Sequence, residues 1–384
     1  MFILRKIQTV MRAVCLIFMS FYCLLLSAQD HYLLVGTYTT GKSKGVYVFR
    51  FNSQNGEIQW VSSTDSATNP SFLAVSPDKQ KIYTVNETGG DQPGYVSAYE
   101  FDAATGQLYY INSQPTGGDH PCYITVDKTG KWVITGNYTG GNISVFPVAN
   151  DGGLKHYVQR IQHTGSSANK SRQEKAHVHG TFFSPDQKYL LVPDLGTDKV
   201  MMYLFNPSAK QPLKPAAMPF AASLPGSGPR HLDFHPNQKY VYLLEELTGS
   251  IKVYRYTNGY LTGIQQIATH PKDFSGQPGS ADIHVSPDGK FLYASNRGEE
   301  NNLAIFSIDQ NTGKLTSIGY QPVPGAGPRN FIIDPSGNFL LVANQRTNNI
   351  VTYRINRQTG LLQQFLRQTE VPAPVCLKLI SIQQ

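Results

Sequence analysis

Cysteine is scarce in this chain, at 4 of 384 residues. Cys15 and Cys23 fall within the first 28 residues, while Cys122 and Cys376 sit inside apolar strand patterns. That excludes a disulfide framework, offers no cysteine-based metal motif, and predicts two buried free thiols. Charge is also thin, at 15% of residues, and the Lys and Arg behind the net +7 are scattered rather than gathered into a stripe. No nucleic-acid partner is expected from such a pattern. Three common chemical signatures are missing: a Gly-X-Ser-X-Gly elbow, a Gly-rich phosphate loop opening a helix, and His-Glu-X-X-His. Serine-hydrolase, nucleotide-dependent and zincin mechanisms therefore have no foothold.

What is abundant is Tyr (22) and Phe (19), set among 34 Gly and 24 Pro. Strand formers punctuated by turn residues predict an all-β fold of many short strands, and no long amphipathic helix is visible. The first 28 residues stand apart. Arg5, Lys6 and Arg12 precede an apolar run from Ala13 to Leu26, and Ser27-Ala28 supply small residues before Gln29. This is the layout of a cleaved signal peptide. The run is shorter than the roughly 20 residues of a membrane span, so no stable anchor is expected. Removing the three leader cations from the net +7 leaves a mildly basic +4.

Repeats dominate the remainder, residues 29–384, which read as one domain. One phrase, an apolar strand, a tight turn and a second apolar strand, occurs six times, beginning at Ser71, Cys122, His179, Arg230, Ala281 and Arg329. A second phrase, an alternating strand followed by a turn often holding Thr-Gly or Asn-Gly and a further strand, occurs seven times. Its starts, near Val46, Val96, Ile143, Val200, Ile251, Leu303 and Ile350, lie 47 to 57 residues apart. The partner missing from the odd copy is split between the ends of the chain: VCLKLI from Val375 matches an innermost strand, and HYLLVGTY from His31 a second one. Four-stranded units that cannot bury both faces alone pack radially, so the repeat predicts a seven-bladed β-propeller closed by strands from both termini. A linear stack or a set of sandwiches would leave the split unit unexplained.

Within each repeat the start of the first strand and the end of the second meet at one rim of the ring. The first column reads Ser71, Cys122, His179, Arg230, Ala281 and Arg329; the second reads Glu87, Tyr138, Leu195, Glu246, Arg297 and Gln345. The strands between are uniformly apolar, yet these columns diverge into His, Arg, Glu and Tyr. Such divergence at one rim predicts a site, joined by Asn86, Asn137, His177, Asp194 and Asn344 nearby. Three facing arginines, Arg230, Arg297 and Arg329, repel one another unless an anion compensates, and guanidinium forks suit carboxylate or phosphate. Glu246 with His177 or His179 can then serve as general base or acid. The bland alternative is that polar strand ends cap loops and bind channel water. His177-Val178-His179 also invites a metal, but no third ligand stands at motif spacing, so none is expected.

These same residues carry a family resemblance. GTYT from Gly36, VNE from Val85, GNYTGG from Gly136, HVHG from His177, DLGTD from Asp194, GPRH from Gly228, ADIHVSPDGKFLYASNR from Ala281 and GPRNF from Gly327 together resemble the propeller-type lactonases, the 6-phosphogluconolactonases and carboxymuconate lactonizing enzymes. The resemblance implies hydrolysis of a sugar δ-lactone without a cofactor, with 6-phospho-D-glucono-1,5-lactone opened to 6-phosphogluconate in the oxidative pentose phosphate route. It implies catalytic roles for His177, Arg230, Glu246 and Arg297, with His179 competing for the imidazole. Arg329, Glu87, Asn137, Asp194 and Gln345 are expected to bind the substrate, a small anionic lactone, in a monomer. The leader conflicts with a cytoplasmic phosphorylated substrate and points to export, hence to a periplasmic or secreted enzyme on another lactone. A cycloisomerase acting on a muconate-like diacid and a non-catalytic binding propeller remain as alternatives.

Overall fold

The computed structural model describes residues 31–65 and 67–382; the expected leader, residues 1–28, lies outside them. Seven four-stranded antiparallel sheets form the ring. In blade 1 the C-terminal strand Pro374–Ser381 is innermost and pairs with His31–Thr37, followed by Tyr47–Phe51 and Ile58–Ser63. Both ends of the chain thus close the ring, as the split repeat predicts. Blades 2 to 7 run consecutively outward from inner strands Leu73–Val75, Pro121–Val126, Phe182–Phe183, Pro229–Phe234, Ser280–Val285 and Pro328–Ile333. Among the described residues there is no helix, and so none long and apolar enough to cross a membrane.

The core lies between blades. Tyr242, Leu244 and Val253 of blade 5, for example, pack on Ile283, Leu292 and Phe306 of blade 6, all buried. Each fully buried large apolar side chain contributes about 1.5–3 kcal/mol. The second strands also carry tyrosines whose hydroxyls reach the next blade's outer turn: Tyr242 donates to the Gly313 carbonyl (3.0 Å) and Tyr293 to that of Gly360 (2.7 Å). This explains the recurrent Thr-Gly turns. Gly313 has φ 72°, and a Cβ there would meet the Tyr240 ring at 2.4 Å, so only glycine permits both the turn and the close packing.

Blade 4 departs from the others. Its inner strand is only Phe182–Phe183, and residues 163–181 before it form an irregular segment held by one isolated bridge between Val178 and Asp194. That segment runs over the rim where the site lies.

Candidate active site

The seven inner strands leave a cavity of about 620 Å³ at one mouth of the axis. Antiparallel pairing brings the start of each inner strand beside the end of the second, so the two divergent columns meet there. Glu87, Tyr138, Glu246, Arg297 and Gln345 of the second column line the cavity, and Leu195 does not. The same spacing in blade 1 supplies Tyr38, one residue after His31–Thr37. From the first column come Cys122, His179 and Arg329. Ser71 stands behind Glu87 and donates to it.

One wall is built around Glu246. Its Oε2 accepts from Arg230 Nε at 2.8 Å and lies 3.3 Å from Arg297 Nη2, while Oε1 accepts from Arg172 Nη2 at 2.9 Å. His179 Nε2 is 3.8 Å from Oε2. Arg230 is only 2% exposed and sits one layer beneath the cavity, where it also donates to the Ala281 carbonyl. Burial would raise the Glu246 carboxyl, but Arg297, Arg230, His179 and Arg172 together hold it well below the usual range. Burial, reinforced by Arg230, pushes the His179 imidazole well below its ordinary value, so it is neutral at physiological pH. Burial likewise brings Arg297 down to about 10, still a cation.

On the other side of the ring Arg329 donates to the Tyr38 hydroxyl (3.0 Å), which donates to Glu87 (2.8 Å). Four arginines, Arg172, Arg297, Arg329 and Arg346, therefore line the cavity against two carboxylates, with Arg230 behind them. The surplus is positive. Burial raises the Cys122 thiol, which stays protonated at neutral pH and offers no thiolate nucleophile. Cys122 and Cys376 are both buried and free. Among the described residues no three His, Cys, Asp or Glu side chains gather as metal ligands.

The remaining residues singled out in the sequence go elsewhere. Asn137 and Asp194 are the last residues of their second strands, one position before the cavity column, and the pleat turns them into the blades. Asn137 bonds to Asn142, and Asp194 accepts from His163 (2.8 Å) and from the backbone N–H groups of His177, Gly196 and Thr197. His177 stacks on Tyr138 at 4.5 Å, with Nδ1 at the Tyr138 carbonyl and Nε2 at Glu174, both 3.0 Å away, and does not line the cavity. Tyr38, Arg172 and Arg346 were not anticipated. Tyr38 was accessible by extending the column into the split blade; Arg172 lies in the non-repeating segment and had no such signal.

A larger hollow, about 720 Å³, opens between the outer parts of blades 1 and 2, but its lining holds Asp65 and Asp91 and no Lys, Arg or His. Of these two hollows, the axial cavity joins acid–base groups to anion-binding ones.

Comparison with known proteins agrees with this fold. The profile of the family "Lactonase, 7-bladed beta-propeller" matches residues 32–379. The 6-phosphogluconolactonase of Formosa agariphila is 41% identical over 351 residues, covering 91% of this chain and 99% of that protein. The 6-phosphogluconolactonase of Bacillus subtilis is 34% identical over 90% of this chain and 97% of its own. The solved structure of the periplasmic gluconolactonase of Pseudomonas aeruginosa superposes with a TM-score of 0.88 at 36% identity, covering 92% of this chain and all of that one. The chain belongs to the seven-bladed β-propeller lactonases, carboxylic ester hydrolases that open lactones.

Proposed function

We propose that the axial cavity hydrolyses a negatively charged aldono-1,5-lactone, with 6-phospho-D-glucono-1,5-lactone, opened to 6-phosphogluconate, as the best-fitting substrate. The observation that carries this reading is the excess of guanidinium over carboxylate around an acid–base pair. An anion of the substrate balances that excess, and two relatives carry the name 6-phosphogluconolactonase.

His179 Nε2 and Glu246 Oε2, 3.8 Å apart, can both hydrogen-bond one water molecule. The pair takes a proton from that water as its oxygen forms a bond to the lactone carbonyl carbon, and Arg297 stabilises the oxyanion. Collapse breaks the bond to the ring oxygen, which receives the proton and leaves as a hydroxyl. Arg230 holds Glu246 from below, and Arg329, Gln345 and Glu87 with Tyr38 receive the remainder of the sugar acid. Without a compensating anion both base groups are weak: the arginines hold the Glu246 carboxyl down, and burial, reinforced by Arg230, holds the His179 imidazole down. An anionic substrate offsets that field and strengthens them.

A second reading, an exported hydrolase of unphosphorylated glucono-1,5-lactone, is favoured by the leader pattern in residues 1–28 and by the periplasmic gluconolactonase of P. aeruginosa. Ring opening of both lactones by the chain starting at Gln29, against the spontaneous rate, decides between them. Faster turnover of the phosphorylated lactone supports the first reading and turnover of the plain lactone alone the second; neither would leave a binding propeller. Amino-terminal sequencing of the protein recovered outside the cytoplasm, expected to begin near Gln29, tests export.

A further inference from the structure

Arg172 belongs to no repeat. It lies in the segment 163–181 before the short inner strand of blade 4, where its neighbour Gln173 is wholly buried and donates to the Leu195 carbonyl at 2.8 Å. Ser167 N–H donates to the Gln173 carbonyl (2.9 Å), and Asn169 N–H to the Gln173 side chain (3.0 Å). The backbone under Arg172 is therefore pinned. Its guanidinium is the most accessible of the three on Glu246: the side chain is 43% exposed, against 2% for Arg230 and 20% for Arg297. It leans across the cavity to the Tyr138 hydroxyl (3.2 Å) and to Glu246 Oε1 (2.9 Å), a contact spanning 74 positions of sequence.

The partition of the Glu246 oxygens gives this contact its meaning. Oε2 is taken by Arg230 and Arg297, both anchored in the ring, whereas Oε1 is held by Arg172 alone. While Arg172 holds Oε1 the carboxylate stays a weak base; its departure strengthens the whole carboxylate, including the Oε2 that shares the water with His179, and a guanidinium drawn from one anion moves most readily to another. We propose that Arg172 is a specificity latch: it exchanges Glu246 for the anionic group that the substrate carries away from its reacting carbonyl, and so frees Glu246 when a charged lactone binds. This rests on the reading that Glu246 helps to deprotonate water. Binding energy from a remote group is thereby turned into rate, so the charge of the substrate raises kcat as well as lowering KM. A plain lactone has no means of drawing the latch away.

The test is a double-mutant cycle read by binding as well as by rate. In calorimetric titrations with 6-phosphogluconate, Glu246→Gln releases Arg172 and is expected to tighten binding about tenfold. That gain should vanish when Arg172→Gln is present as well. A gain that persists in the Arg172→Gln background would come from general loss of repulsion, and would overturn the latch. In kinetics, Arg172→Gln is expected to lower the preference for phosphorylated over plain gluconolactone, in kcat/KM, at least tenfold, and to abolish the part of that preference seen in kcat. A preference unchanged within twofold, or equal losses on both lactones, would also overturn it. Wild-type protein that opens neither lactone removes the functional reading itself, while a cycle without coupling removes the latch and leaves that reading standing.

Discussion

Two buried carboxylates face the axis of this propeller, and they are satisfied in opposite ways. Asp282, midway down an inner strand, meets His231 Nδ1 at 2.8 Å with one oxygen; the other meets His284 Nε2 at 3.1 Å, the Asn330 amide and the Phe331 backbone N–H. Burial would raise its carboxyl, but His284 and His231 hold it far below the usual range. Its two imidazoles divide the work. Burial and Arg230 push His231 down to about 3, while Asp282 and Asp233 outweigh burial and raise His284. The cluster is balanced: each oxygen has its donors. Glu246 has three guanidiniums, more charge than it can neutralise, and it opens onto a cavity. A balanced buried network holds a fold together, whereas an unbalanced one beside a void awaits a ligand.

The largest effect expected from breaking this contrast is on rate. Glu246→Gln should lower kcat for lactone opening by about 10²–10⁴, the usual worth of a positioned acid–base group, measured by release of acid at constant pH. The next is on stability. Asp282→Ala strips two imidazoles and an amide of their shared acceptor and should cost about 3–5 kcal/mol in urea unfolding. Added phosphate should stabilise Asp282→Ala no more than it stabilises the wild type, since both keep the axial site. By contrast, Glu246→Gln, which leaves its arginines short of an anion, should gain more from phosphate than the wild type does, up to about 2.7 kcal/mol in all at a hundredfold excess over Kd. An equal gain in the wild type and both variants would erase the distinction between the two clusters.

An effect that is smaller per pH unit concerns acidity. His231 is neutral in the fold down to about 3, but protonates near 6.5 once unfolded, so in that window the unfolded chain binds the extra proton. Its contribution is complete above pH 6.5 and declines as the pH falls toward 3, by at most about 1.4 kcal/mol per unit. The depressed Asp282 acts in the same sense below about pH 4. His284, raised, acts oppositely: its contribution is present below pH 6.5 and lost as the pH climbs through its folded value. His231→Asn should flatten the acid slope of unfolding free energy between pH 6.5 and 3; an unchanged slope would mean that other groups set it.

The ring and most of its mouth are legible in the sequence because a repeat carries its own ruler. Glu246, Arg297, Arg329, Glu87, Gln345 and His179 were found by counting from a recurrent turn, and antiparallel pairing leaves those positions nowhere to go but the axis. The same ruler, shifted by one residue, picked Asn137 and Asp194, and a shift of one on a pleated strand turns a side chain from the axis into the blade. His177 and His179 would share a face on a regular strand. The inner strand of blade 4 starts only at Phe182, so the two rings diverge, one against Glu174 and one into the cavity.

By itself the sequence determined the number of blades, the closure by both chain ends, the apolar faces between blades and the columns that reach the axis, since all of these follow from periodicity and from apolar surface that must be covered. Tertiary structure alone decided which charged groups meet. Arg172 reaches Glu246 across 74 residues from a segment with no period, and Asp282 gathers its partners from three different strands. The reason is physical: burial of strands is dictated locally by pattern, but the pairing of buried charges depends on distances of a few ångströms between segments that only the closed ring brings together.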